Sequence, residues 1–181
     1  MSTITPLIPR QPVPDLAVQT VGGPLWRLAD QKPEHFTLIT FYRGLHCPVC
    51  ARYLADLESK LDDFAQRGVS VIAISSDTEE RAVQAKERWA LPRLTIGWGL
   101  DLDAARRWGL YLSAGHGKTT AGIEEPALFS EPGLFLVRPD GTLYFATVQT
   151  MPFARPSFGE ILQSIDFVIA RNYPARGEIA E

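Results

Sequence analysis

The feature that most limits what this chain can fold into is Phe36–Tyr42 (FTLITFY), the link Arg43-Gly44-Leu45-His46, and then Cys47-Pro48-Val49-Cys50 opening an apolar stripe at helical spacing. The first run is short, apolar and rich in β-branched and aromatic residues, which reads as a buried strand. The stripe is Cys50, Leu54, Leu57, Leu61 and Phe64, at separations of 4, 3, 4 and 3, and predicts one helix to about Gln66, ended by Gly68. Val69–Ser75 (VSVIAIS) reads as a second buried strand. Strand, helix and strand in that order predict a parallel pair with a right-handed crossover.

The remaining segments fit around this unit. Residues 1–14 hold four prolines and no periodicity, so they read as an extended lead-in. Leu16–Thr20 and Leu25–Leu28, joined through Val21-Gly22-Gly23, predict a hairpin. Gly22-Gly23 is a turn and not a phosphate loop, because no helix start follows it. Ser76-Asp77-Thr78-Glu79 has the form of a capping box, opening a helix with Ala82, Ala85 and Trp89 on one face. Leu94–Trp98 reads as a short edge strand, and Asp101 as the N-cap of a brief helix carrying Ala105 and Trp108. Residues 113–131 read as a long Gly- and Thr-rich loop. Gly133–Arg138 and Thr142–Val148, around Pro139-Asp140-Gly141, predict a second hairpin. Ser157-x-x-Glu160 caps a last helix with Ile161, Ile165, Val168 and Ile169 inward, and the tail from Tyr173 reads as loose. The sum is an α/β chain: a mixed central β-sheet with helices on both faces and an N-terminal β-hairpin extension.

Length and composition set the outer bounds. A chain of 181 residues is expected to form one domain, 1–181, with its core at about 13–170. The net charge of −3 offers no electrostatic footprint for nucleic acid. Neither a secretory signal nor an apolar stretch of membrane length is visible, so no membrane partner is expected and the expected location is cytoplasmic.

The only cysteines are Cys47 and Cys50. So close a pair closes almost no loop and makes a poor structural staple. The spacing points to redox or metal chemistry, against the plainer reading of small buried hydrophobes. A metal site would have to draw on His35 and His46, and the adjacency of His46 and Cys47 is awkward for one ion; neither metal nor cofactor is expected. Pro48 suits the first helical position, which makes Cys47 the N-cap or its neighbour. A thiolate there gains from the helix dipole and backbone N–H groups. Cys50, one turn on and facing the core, should be less exposed, and Arg43 and His46 are expected to add positive potential.

These residues resemble the peroxiredoxins of the alkyl hydroperoxide reductase/thiol-specific antioxidant group, in the thioredoxin-fold superfamily. FTLITFYRGLHCPVC is similar to that group's strand and active-site loop, VSVIAISSDTEERAVQAKERWALP with GWGLD and AARRWGLY to its following elements, and PGLFLVRPDGTLYFATV to its closing hairpin. The resemblance implies a thioredoxin-like fold and a thiol-based antioxidant oxidoreductase reducing peroxides through a Cys47/Cys50 dithiol–disulfide cycle. It implies a peroxide or disulfide substrate, a thiol reductant such as thioredoxin or glutathione, and it allows a homodimer. A protein-disulfide reductase and a non-enzymatic redox sensor are the alternatives.

The chain departs from the family pattern Pro-x-x-x-Thr-x-x-Cys. Cys50 falls at the peroxide-attacking position, Cys47 stands in place of the Thr and Arg43 in place of the Pro. The family's arginine before the closing hairpin is replaced by Pro132. In related thioredoxin-like reductases a proline in that register is cis and packs against the CxxC, so a cis Glu131–Pro132 bond close to Cys47 is expected. Family register favours Cys50 as the attacking thiolate, whereas helix geometry favours Cys47 as the exposed nucleophile with Cys50 resolving. Arg155, in Met151-Pro152-Phe153-Ala154-Arg155-Pro156, is either a substitute for the missing arginine or a surface residue capping the hairpin. His116 reads as a solvated loop histidine, and Trp89, Trp98 and Trp108 as core or interface.

Overall fold

Residues 3–180 are described by a computed structural model; Met1 and Ser2 of the lead-in and Glu181 of the tail lie outside it. The strands in chain order are Ala17–Thr20 (β1), Trp26–Arg27 (β2), Phe36–Phe41 (β3), Val69–Ile74 (β4), Ile96–Trp98 (β5), Leu112–Ala114 (β6), Leu128–Ser130 (β7), Gly133–Val137 (β8) and Leu143–Val148 (β9). Seven form one sheet in the order β2-β1-β5-β4-β3-β8-β9, and β6 with β7 form a separate ladder. β3, β4 and β5 are parallel, while β8 runs antiparallel to β3 and β9 to β8.

Every residue of β3 and β8 is buried, because the sheet is covered on both sides. The period of two sorts the side chains. Phe36, Leu38, Leu134 and Leu136 join the core beneath the helices Pro48–Ser59 (α1), Leu61–Gln66 (α2), Glu79–Arg88 (α3) and Phe158–Arg171 (α5). Ile39, Phe41, Phe135 and Val137 join the opposite core, with Ala104 and Ala105 of the helix Leu102–Arg107 (α4) and with Trp108. None of the described helices is long and apolar enough to cross a membrane.

Several local expectations are corrected. The helix after the cysteines is two helices: Lys60 N–H donates to the Leu57 carbonyl (3.0 Å), a tight last turn that re-aims α2 while Leu57 and Phe64 both stay fully buried. β5 is internal and not an edge, since β1 pairs with it at Gln19↔Trp98 and Thr20↔Gly97. Gly97 permits this approach: a Cβ there would stand 2.7 Å from Val18 Cγ2. The 113–131 loop contains β7 and most of β6. Among the last helix's expected inner residues, Ile169 is 36 % exposed, and Phe158 and Leu162 fill the face instead. The tail is tied down at Ala175, which is buried and whose carbonyl accepts from Arg10 Nε (3.0 Å). At 76–79 no capping box forms; Thr78 caps α3 by accepting from Arg81 N, which leaves Asp77 turned inward.

Candidate active site

The cysteines sit where the chain leaves the carboxyl end of β3 and enters α1. Tyr42 N–H continues the pairing to the Ile74 carbonyl, after which the backbone turns through Gly44 at φ +135°. A side chain at Gly44 would meet the Asp77 carboxylate at under 3 Å. That carboxylate, itself 2 % exposed, accepts from Leu45 N–H (2.7 Å) and from Arg81 Nε (2.8 Å). Asp77 thus pins the loop that presents Cys47. Sequence reasoning missed it by reading it as part of a cap.

Cys47 is the N-cap of α1 and Pro48 its first residue; Cys47 Sγ accepts from Cys50 N–H (3.2 Å). The two cysteines are joined as a disulfide, with Cα atoms 5.2 Å apart. The expected contrast in exposure is not found: Cys47 is 1 % and Cys50 0 % exposed. Arg155 lies over the pair. Its Nη2 stands 2.9 Å from Cys50 Sγ and 3.9 Å from Cys47 Sγ, while its Nε donates to the Pro152 carbonyl (2.8 Å). Burial lowers the guanidinium's pKa to about 10, so it remains cationic near neutrality. Arg155 Nη1 is buried and has no hydrogen-bond partner among the described residues.

The other expected sources of positive potential are weaker than the sequence implies. Arg43 is paired with Glu125 (3.4 Å) and with Glu131 (3.2 Å), and its guanidinium stacks over Phe129. His46 is fully buried against the Phe129 ring, and burial, helped by Arg43 and Arg81, lowers its pKa to about 4. It is therefore neutral near pH 7. Arg81 Nη2 lies 3.3 Å from His46 Nδ1 and can only donate, so Nδ1 accepts and Nε2 carries the proton. His35 stands apart from this group, its Nδ1 bonded to the Arg67 carbonyl (3.0 Å). No group of three or more His, Cys, Asp or Glu side chains among the described residues could hold a metal ion.

The segment between β6 and β7 reaches over the loop. Thr119 Oγ1 donates to the His46 carbonyl (2.6 Å), and the Arg43–Glu125 pair adds a second tie. His116 is exposed, as expected of a solvated loop residue. The Glu131–Pro132 bond is trans, against the expectation of a cis bond; no cis peptide occurs among the described residues. Glu131 is held by its N–H on the Tyr111 carbonyl, by Ser113 Oγ (2.6 Å) and by Arg43, so β7 runs straight into β8 with the ordinary X–Pro geometry.

A family model described as the AhpC/TSA family matches residues 9–146. The chain belongs to the AhpC/TSA family. Among solved structures it is similar to the reduced 2-Cys peroxiredoxin of Plasmodium vivax, at 17 % identity over 92 % of this chain and 84 % of that one, with a TM-score of 0.74. The peroxidoxin BcpB of Mycobacterium tuberculosis matches at 15 % identity over 90 % and 98 %, TM-score 0.68. AhpC of the same organism matches at 14 % over 93 % and 96 %, TM-score 0.71. These likenesses establish the thioredoxin-like fold. No curated protein matches the chain by sequence. Family membership makes the protein an oxidoreductase of the peroxiredoxin kind. Arg155 lies beyond the matched segment.

Proposed function

We propose that the protein reduces hydroperoxides with Cys50 as the attacking thiolate and Cys47 as the resolving thiol. The observation that carries this assignment is the Arg155 guanidinium, 2.9 Å from Cys50 Sγ. A partly buried cation at that distance favours the thiolate over the thiol. It also stays beside the developing negative charge when the peroxide O–O bond breaks. The register of Cys50 in the family's loop points the same way.

In the cycle, Cys50 thiolate attacks one peroxide oxygen. The O–O bond breaks, the alkoxide takes a proton to leave as the alcohol, and Cys50 becomes a sulfenic acid. Cys47 thiolate attacks the Cys50 sulfur, expelling hydroxide that leaves as water, and forms the observed disulfide. A reducing thiol then attacks Cys47 Sγ, with Cys50 leaving as the thiolate that Arg155 stabilises. A second thiol resolves the mixed disulfide. One peroxide and two reductant thiols yield alcohol, water and the reductant's disulfide. The reductant is of thioredoxin or glutathione type. The near-complete burial of both sulfurs favours a small peroxide as the oxidising substrate and requires the cover to move before a protein reductant reaches Cys47.

Mass spectrometry of the single variants after one equivalent of peroxide tests the roles. Cys47→Ser is expected to accumulate a sulfenic acid on Cys50, and Cys50→Ser to stay reduced. Oxidation confined to Cys47 in Cys50→Ser, with Cys47→Ser inert, would reverse the assignment. Failure of the wild type to consume peroxide repeatedly in the presence of a thiol reductant would remove the peroxidase reading itself.

A further inference from the structure

Cys50 and Tyr53 are three residues apart on α1, so they share a face and meet whatever lies across it. What lies across it is Arg155. Its guanidinium carbon sits 4.8 Å from the centre of the Tyr53 ring while its Nη2 touches Cys50 Sγ. The Tyr53 hydroxyl donates to the Pro156 carbonyl (2.7 Å), the residue next to Arg155. The ring is itself fixed by Phe158, the first residue of α5, with centroids 4.3 Å apart. The arginine is therefore gripped on three sides: its Nε by its own segment at Pro152, its face by the ring, and the chain just after it, at the Pro156 carbonyl, by the hydroxyl.

We infer that Tyr53 is the positioning residue for Arg155, holding the guanidinium at Cys50 and so setting the reactivity of that sulfur. The inference rests on the proposed role of Cys50 and Arg155. A guanidinium on a flexible stem loses much of its effect on a thiolate if it swings away to water, because the interaction is strong only where water is excluded. An aromatic face supplies attraction without neutralising the cation, as a carboxylate would. The groups that act on the guanidinium are Tyr53, Arg43, Glu131 and the two cysteines. Burial and its own hydrogen bond keep the Tyr53 phenol protonated, so it acts as a fixed donor and ring and not as a titrating partner.

The test uses the full chain in a Cys47→Ser background and reads the rate of Cys50 alkylation by iodoacetamide against pH, beside the rate of its oxidation by hydrogen peroxide. Tyr53→Leu removes ring and hydroxyl and is expected to raise the alkylation midpoint by about one pH unit, a roughly tenfold smaller thiolate fraction below it. Tyr53→Phe keeps the ring, and its peroxide rate is expected to fall only about threefold. In an Arg155→Met background, Tyr53→Leu is expected to add nothing. Additive shifts in that double variant would mean that Tyr53 acts without Arg155 and would overturn the inference. So would unchanged midpoints in Tyr53→Leu when Arg155→Met raises its own. If Tyr53→Leu does not fold, Tyr53→Phe decides: an unaltered peroxide rate overturns the hydroxyl's part in the grip. An unmoved midpoint in Arg155→Met is a separate outcome. It removes Arg155 from the proposed function, and the positioning role falls with it.

Discussion

Phe41 and Tyr42 are neighbours in sequence and belong to opposite sides of the sheet, and the two sides are built on different principles. Phe41 packs with Trp108 and Phe135, each ring 5.1–5.6 Å from the next, in a cluster made of apolar side chains. Tyr42 points into the core that also holds Cys47 and Cys50. Beside it His46 is buried in the loop that presents the cysteines, Asp77 is buried in the link after β4 that pins this loop, and the Arg155 guanidinium closes over the sulfurs. The first side gains stability from area and close packing, which any well-fitted hydrophobes could supply. The second sets charges and dipoles where water is scarce, and each has to be balanced or aimed. The polar groups around the sulfurs stand over a hydrophobic core of their own, whereas the opposite core holds none of them, so it is the side on which stability is expected to change without reactivity.

The largest effect expected from this contrast is on the apolar side. Trp108 is fully buried, and Trp108→Ala is expected to lower unfolding free energy by about 3–5 kcal/mol in urea titration. The pH midpoint of Cys50 alkylation in the folded Cys47→Ser protein should not move. A midpoint displaced along with the stability would show that the aromatic cluster also tunes the site, and the contrast would fail.

The polar side carries a pH dependence with a definite sign. The pKa of His46 is lowered from 6.5 to about 4. The unfolded state therefore binds more protons than the folded one between those values, and stability falls as pH falls. The contribution is complete above about 6.5 and is lost as pH drops through about 4, a total on the order of 3 kcal/mol. His46→Asn, whose amide oxygen can replace Nδ1 as acceptor for Arg81, is expected to flatten that part of the stability curve. Equal slopes for variant and wild type in urea titrations between pH 7 and 4.5 would place the titrating group elsewhere.

The same division explains what was legible in the sequence. Strands buried on both faces announce themselves: FTLITFY and VSVIAIS became the paired β3 and β4, and the closing hairpin became β8 and β9. The caps at Asp101 and Ser157 were readable because an N-cap is a local event. The position of Cys47 ahead of Pro48 was readable for the same reason. Asp77 was not, because its carboxylate serves a backbone N–H 32 residues away and only the crossover brings them together. The three-residue spacing of Cys50 and Tyr53 did hold a signal, but nothing local says that an arginine 102 residues beyond Tyr53 covers both. The expected cis bond failed because it was carried over from a different set of neighbours. Here Glu131 is held extended by Tyr111, Ser113 and Arg43.

The smallest effect concerns how the reactive side is covered. Both sulfurs are buried, yet in the proposed cycle a reducing thiol reaches Cys47, so some part of the cover has to yield. The segment between β6 and β7 is tied to the cysteine loop by Thr119 Oγ1 on the His46 carbonyl, one residue before Cys47. Thr119→Val preserves shape and removes that donor, with a stability loss expected at about 1 kcal/mol or less. If this tie limits access, the disulfide of Thr119→Val should be reduced severalfold faster by dithiothreitol at pH 7, with the unfolding midpoint in urea almost unchanged. The carbonyl left behind lies next to Cys47 and not on Arg155, so the alkylation midpoint of Cys50 should stay where it is. An unchanged reduction rate would show that the route to the sulfurs opens elsewhere, with the Pro152–Pro156 segment that carries Arg155 as the remaining cover. The reactive face would then guard its disulfide with the same arginine that is proposed to activate its thiolate.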